Sequence, residues 1–197
     1  MDYKEIWESS LSYESLNDIF KQAVIDGKTT GHVQTQELVD FSKLNVQRMK
    51  RIGKTYVPSL NGIQNRKLQN DIVFLTMTES WCGDGAQAVP VIARIADELG
   101  IEHRYVLRDD NPELIDMHLT DGARSIPILM VLHRNNFELL GRWGSRPKAA
   151  DQIMADWKEL PEPKISKEDV KTQIQVWYNN DKQHSIQKEI VEVLDQV

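Results

Sequence analysis

Ile72-Val73-Phe74-Leu75-Thr76-Met77-Thr78-Glu79-Ser80-Trp81-Cys82-Gly83-Asp84-Gly85 carries the strongest fold signal in the chain. Ile72 to Met77 is a short, nearly continuous apolar run, the pattern of a strand buried on both faces. Glu79 to Asp84 turns the chain. Ala86 to Leu99 then reads as a helix closed by Gly100, with Val89, Ile92, Ala93 and Ala96 inward and a kink expected at Pro90. The single cysteine of the chain therefore stands where a buried strand hands over to a helix.

Beyond that helix, His103 to Leu107 predicts a second strand, and Pro112 starts a helix that closes near Gly122. Ile126 to Leu132 predicts a third strand with Pro127 near its start. Asn135-Asn136 signals a turn, and Phe137 to Gly141 returns antiparallel. Arg146-Pro147 opens a helix through Ile153, Met154 and Trp157. The order strand, helix, strand, helix, strand, strand, helix predicts an α/β mixed sheet with helices on both faces.

Upstream, Ser12 or Ser15 caps a helix ending near Gly27, and Thr35 caps another ending near Gly53. A further short helix is expected between Pro58 and Asn70. Downstream of Pro161-Glu162-Pro163, Ser166 caps a helical tail, with an interruption expected at Asn179-Asn180-Asp181. The chain thus divides into an N-terminal helical extension (1–70), a core (71–160) and a helical tail (161–197), all within one compact domain.

The chain has 197 residues, with 24 Lys+Arg against 30 Asp+Glu, a formal charge of −6. A mildly acidic balance gives no electrostatic footprint for nucleic acid or an anionic membrane. No run is long and apolar enough to span a bilayer. The start Met1-Asp2-Tyr3-Lys4-Glu5 lacks the pattern of a signal peptide, so a cytoplasmic location is expected. One cysteine excludes an intramolecular disulfide and multi-cysteine zinc sites. The five histidines show no ligand spacing, so no metal and no cofactor is assigned. No arginine follows Cys82 at the spacing of a phosphatase loop. Thr78 is one residue too far for a peroxiredoxin Thr-x-x-Cys arrangement, and no Gly-Lys-Ser/Thr phosphate loop is present.

Trp81-Cys82-Gly83-Asp84-Gly85 at a strand-to-helix junction resembles the active site of the thioredoxin superfamily, and Ser125-Ile126-Pro127 resembles its cis-proline signature. With Arg108-Asp109-Asp110-Asn111, Gly122 to Pro127 and Trp143 to Pro147, the chain is similar to a bacterial thioredoxin-like subgroup over roughly 72–157. The resemblance implies a thioredoxin-like core and Cys82 as the catalytic thiol. It implies a cis Pro127 packed beside that thiol, and Ile126 offering its backbone to an extended ligand. Gly85 stands where the second, resolving cysteine belongs, and Asp84 where proline often is. A dithiol oxidoreductase needs both thiols; this chain has one.

The expected chemistry is that of a monothiol redox protein, with mixed disulfides at Cys82 to a low-molecular-weight thiol or a protein cysteine, and a role in cell redox homeostasis. The alternative is a catalytically silent thioredoxin-fold binding module. The start of a helix favours a thiolate, Asp84 opposes it, and the two effects nearly cancel. Arg124 or Arg146 would restore the thiolate if either approached Cys82. Trp81 shields the site or merely packs. Glu79 reads as a solvated loop glutamate, Arg108-Asp109-Asp110 as a solvated turn, and His118 as a cation near a helix end. Trp177, Ile186 and Ile190 suit a second copy of the chain, a possible homo-oligomer, or docking on the chain's own core.

Overall fold

A computed structural model describes residues 2–60, 63, 68 and 71–197. The chain order is α1 (Tyr3–Ser9), α2 (Tyr13–Ile25), α3 (Gln36–Thr55), β1 (Ile72–Thr78), α4 (Gly83–Leu99), β2 (Glu102–Leu107) and α5 (Pro112–Asp116). It continues with β3 (Ile128–His133), β4 (Leu139–Gly144), α6 (Lys148–Glu159), α7 (Lys167–Asp181) and α8 (His184–Leu194). The short helix expected between Pro58 and Asn70 falls mostly on residues outside those described.

The strands form one mixed sheet in the order β2-β1-β3-β4. β1 pairs parallel with β2, while β1–β3 and β3–β4 are antiparallel. All seven residues of β1 are buried, as expected of a central strand covered by helices on both faces. Alternation along the strands divides the core in two. Ile72, Phe74, Leu129, Val131 and Trp143 pack with α4, α6, α7 and α8. Val73, Leu75, Met77, Ile128 and Met130 face the other way, with Leu114 and Ile115 of α5 and with Tyr3, Ile6 and Trp7 of α1. A third cluster joins Leu16 and Phe20 of α2, Met49 of α3, Ala86 and Val89 of α4, and Tyr105 of β2.

Local signals account for most boundaries. The Ser12 side chain accepts from Ser15 N and Thr35 from Leu38 N, so each caps its helix. Ser166 and Asp169 form a reciprocal capping box on α7. Gly100 closes α4 in the left-handed conformation.

Three expectations are corrected. The return strand begins at Leu139, two residues after Phe137, because Phe137 has φ 58 and its N–H donates to His133 O within the turn. The tail interruption falls at Lys182 and Gln183, both in the left-handed region, instead of at Asn179 to Asp181. α5 ends at Asp116, well short of Gly122, and α1, capped by Asp2, seals the second core cluster.

The tail is part of the packing. Ile186 and Ile190 are buried in the chain's own core, and the half-buried Trp177 packs against it. Glu189 of α8 accepts from Trp143 Nε1 and from Lys148 N, both at 2.8 Å, tying α8 to β4 and to the start of α6.

Candidate active site around Cys82

Cys82 is the N-cap residue of α4. Its Sγ accepts a hydrogen bond from Gly85 N at 3.2 Å, and its thiol donates to the carbonyl oxygen of Ile126, also at 3.2 Å. The peptide between Ile126 and Pro127 is cis. Gly144, at φ 123, lies directly against this loop: a Cβ there would overlap the Pro127 carbonyl oxygen. That contact explains why a glycine follows Trp143, since only glycine combines this φ with so close an approach.

The residue is only 6% exposed. Burial pushes the thiol up to about 12, and the Asp84 carboxylate adds to the shift. The N–H groups of Gly85 and Asp84 and the charge of Arg146 oppose it only in part. The expected near-cancellation is therefore corrected: desolvation outweighs the helix start, which contributes ~0.3–1 kcal/mol at exposed sites. At rest Cys82 is a neutral thiol and a hydrogen-bond donor.

Asp84 has two partners. Arg146 approaches Oδ2 through Nη2 at 2.7 Å and Nε at 3.2 Å, and Tyr178 donates to Oδ1 at 3.0 Å. Arg146 is thus the arginine that reaches the site, and it does so through Asp84. Arg124 does not take that role: its guanidinium forms a bidentate pair with Asp116, at 2.7 and 2.6 Å, on an exposed surface. Gly83 lies under Gln175 of α7; a Cβ there would stand 3.1 Å from its Nε2. Tyr178 and Gln175 belong to a tail helix some 90 residues away in sequence, and nothing local in the Cys82 motif pointed to them.

A second polar network holds the turn before Cys82. Glu79 is 1% exposed, and its carboxylate accepts from Asp109 N at 2.9 Å and from the Thr30 hydroxyl. Burial raises its pKa, while these two hydrogen bonds pull the other way. The solvated reading of Glu79 is overturned because the 29–34 loop covers it.

Ser80 Oγ meets the hydroxyls of Thr29 at 3.0 Å and Ser42 at 2.9 Å, and Asn45 donates to Ser80 O. Asp109 in turn holds Arg108 and accepts from His32 N, so the Arg108-Asp109 pair belongs to this network and not to a solvated turn. Arg108 stacks on the Trp81 ring, 4.6 Å from its centroid, with Gly31 on the indole edge. Trp81 therefore packs, against Arg108, Gly31 and the second core cluster. His118 is buried beneath Tyr3, 2.7 Å away, and burial together with Arg142 lowers its pKa, so it is not a standing cation.

The fold and the N-capping cysteine beside Pro127 define a thioredoxin-type domain. A family model described as Thioredoxin matches residues 32–158, and the chain belongs to that family. Among solved structures, a scaffold carrying an HIV epitope is similar over 100% of this chain and 99% of its own, at 15% identity and a TM-score of 0.62. A protein of unknown function from Pseudomonas aeruginosa is similar over 99% of this chain and 98% of its own, at 14% identity and a TM-score of 0.61. At these identities the likeness is one of fold. Among the described residues no group of histidine, cysteine and carboxylate side chains could hold a metal ion, and no helix is long and apolar enough to cross a membrane.

Proposed function

We propose that this thioredoxin-family protein is a monothiol redox protein whose nucleophile rests in the neutral form. The observation that carries this reading is the position of Sγ, at the head of α4 and 3.2 Å from both Gly85 N and Ile126 O. The thiolate of Cys82 attacks a disulfide such as oxidised glutathione, forming the Cys82–glutathione mixed disulfide and releasing one glutathione thiolate. With glycine at position 85 no internal thiol can displace the adduct. A second thiol from solution attacks it, regenerating the Cys82 thiol and leaving with the glutathione as a new disulfide.

A second reading, a catalytically silent binding module, is favoured by the burial of the sulfur and its raised pKa. Incubation with oxidised glutathione at mildly alkaline pH, followed by intact-mass measurement, separates the two. The redox reading expects one glutathione adduct that is absent in Cys82→Ser and removed by added thiol. No adduct, together with unchanged partner capture by Cys82→Ser, establishes the binding module instead.

A further inference from the structure

We infer that the hydroxyl of Thr78 stands in the place of the absent second thiol and is a donor that Cys82 Sγ takes up when it ionises. The inference rests on Cys82 being the reactive group. Thr78 is the last residue of β1 and is fully buried, and its Oγ1 has no hydrogen-bond partner among the described residues. A buried hydroxyl left unpaired is destabilising, and native structures hold few of them.

The position of this one is informative. A Cβ placed on Gly85 would overlap Thr78 Oγ1, and the same Cβ would lie 3.3 Å from Cys82 Cβ and 3.4 Å from Sγ. The space that a side chain at position 85 would fill is thus bordered by both the hydroxyl and the sulfur. Glycine leaves no side chain between them.

At rest the sulfur donates to Ile126 O and accepts from Gly85 N, with the Asp84 N–H also acting on it. When the proton leaves to water, the bond to Ile126 O is lost and the sulfur becomes purely an acceptor with room for more donors. The O–H of Thr78 is uncommitted and borders the same Gly85 space as the sulfur. Rotating it toward the sulfur adds a charge-assisted bond and relieves the orphaned hydroxyl together. The other groups acting on the sulfur are Asp84 of α4 and Arg146 ahead of α6, with Tyr178 of α7 in electrostatic contact; all three stay unchanged in the test.

The test compares wild type with Thr78→Ser and Thr78→Val, using Cys82→Ser as the blank. The readouts are the rate of iodoacetamide alkylation across alkaline pH, the ultraviolet absorbance of the thiolate, and thermal melting. Thr78→Val should react about tenfold more slowly at each pH, the loss of one hydrogen bond to a charged group. Its thiolate absorbance should appear at higher pH and its melting should be no lower, while Thr78→Ser tracks wild type. An unchanged rate and titration in Thr78→Val overturns the inference, as does equal slowing in both variants. Should Thr78→Val fail to fold, Thr78→Ser against Thr78→Ala separates the same two outcomes. Failure of the wild type to form a glutathione adduct would sink the redox reading while leaving this comparison intact.

Discussion

Unfolding the chain should unmask Cys82 by a factor that follows from its burial. The thiol moves from an ordinary 9.0 to about 12 in the folded protein. Three units correspond to about a thousandfold smaller thiolate population at any pH below both values, or about 4 kcal/mol. Alkylation by iodoacetamide, followed by mass spectrometry between pH 7 and 8.5, should be slower by about that factor in native protein than in denaturant. The logarithm of the native rate should rise with unit slope and show no plateau in this range. The same shift bears on stability. Between about 9 and about 12 the native state keeps a proton that the unfolded state has lost, so stability falls as pH rises through that window. Cys82→Ala lacks this component, and its stability should decline less steeply over the same range. A native plateau below pH 8.5, or native and unfolded rates that coincide, would contradict this account of the buried thiol.

Asp84→Asn removes the charge that opposes the thiolate, so alkylation at fixed pH should speed up severalfold. Arg146 loses its closer carboxylate partner and keeps Asp151 at 3.6 Å, and stability should fall by about 1–3 kcal/mol in denaturant titration. Glu79→Ala leaves Asp109 N–H without its acceptor and the Thr30 hydroxyl with Ser80 Oγ in place of the carboxylate, and should cost about 1–3 kcal/mol. Because the folded pKa of Glu79 is raised, wild type should lose stability as pH rises from the ordinary carboxylate value through the folded one, and Glu79→Gln should flatten that slope. Gly85→Ala places a Cβ against the Thr78 hydroxyl and should lower stability by about 1–3 kcal/mol, with partial recovery in the double variant with Thr78→Ser, whose smaller side chain can rotate away.

The same overlap changes what a restored dithiol would require. Gly85→Cys brings a thiol near Cys82, but its Cβ meets strand β1 first, so the substitution needs a change at Thr78 to be accommodated. The sequence shows that the second cysteine is missing. It does not show that the neighbouring strand has closed the space.

Caps and periodicity were readable because they act over three or four residues. Ser12, Thr35 and Ser166 begin their helices, and the apolar run from Ile72 predicted the central strand. The junction that puts Cys82 at a helix start is equally local, and so is the proline ahead of β3. The ionisation of the sulfur is another matter, because desolvation depends on every segment that folds over it. Which arginine reaches Asp84 is settled by packing, with Arg146 and Tyr178 arriving from 62 and 94 residues away. Glu79 reads as a surface residue until the loop around Thr30 covers it. The place of the thiol along the chain is thus written in its immediate neighbours. Whether that thiol carries a charge is set by the folded whole, because water is excluded by contacts that no local pattern encodes.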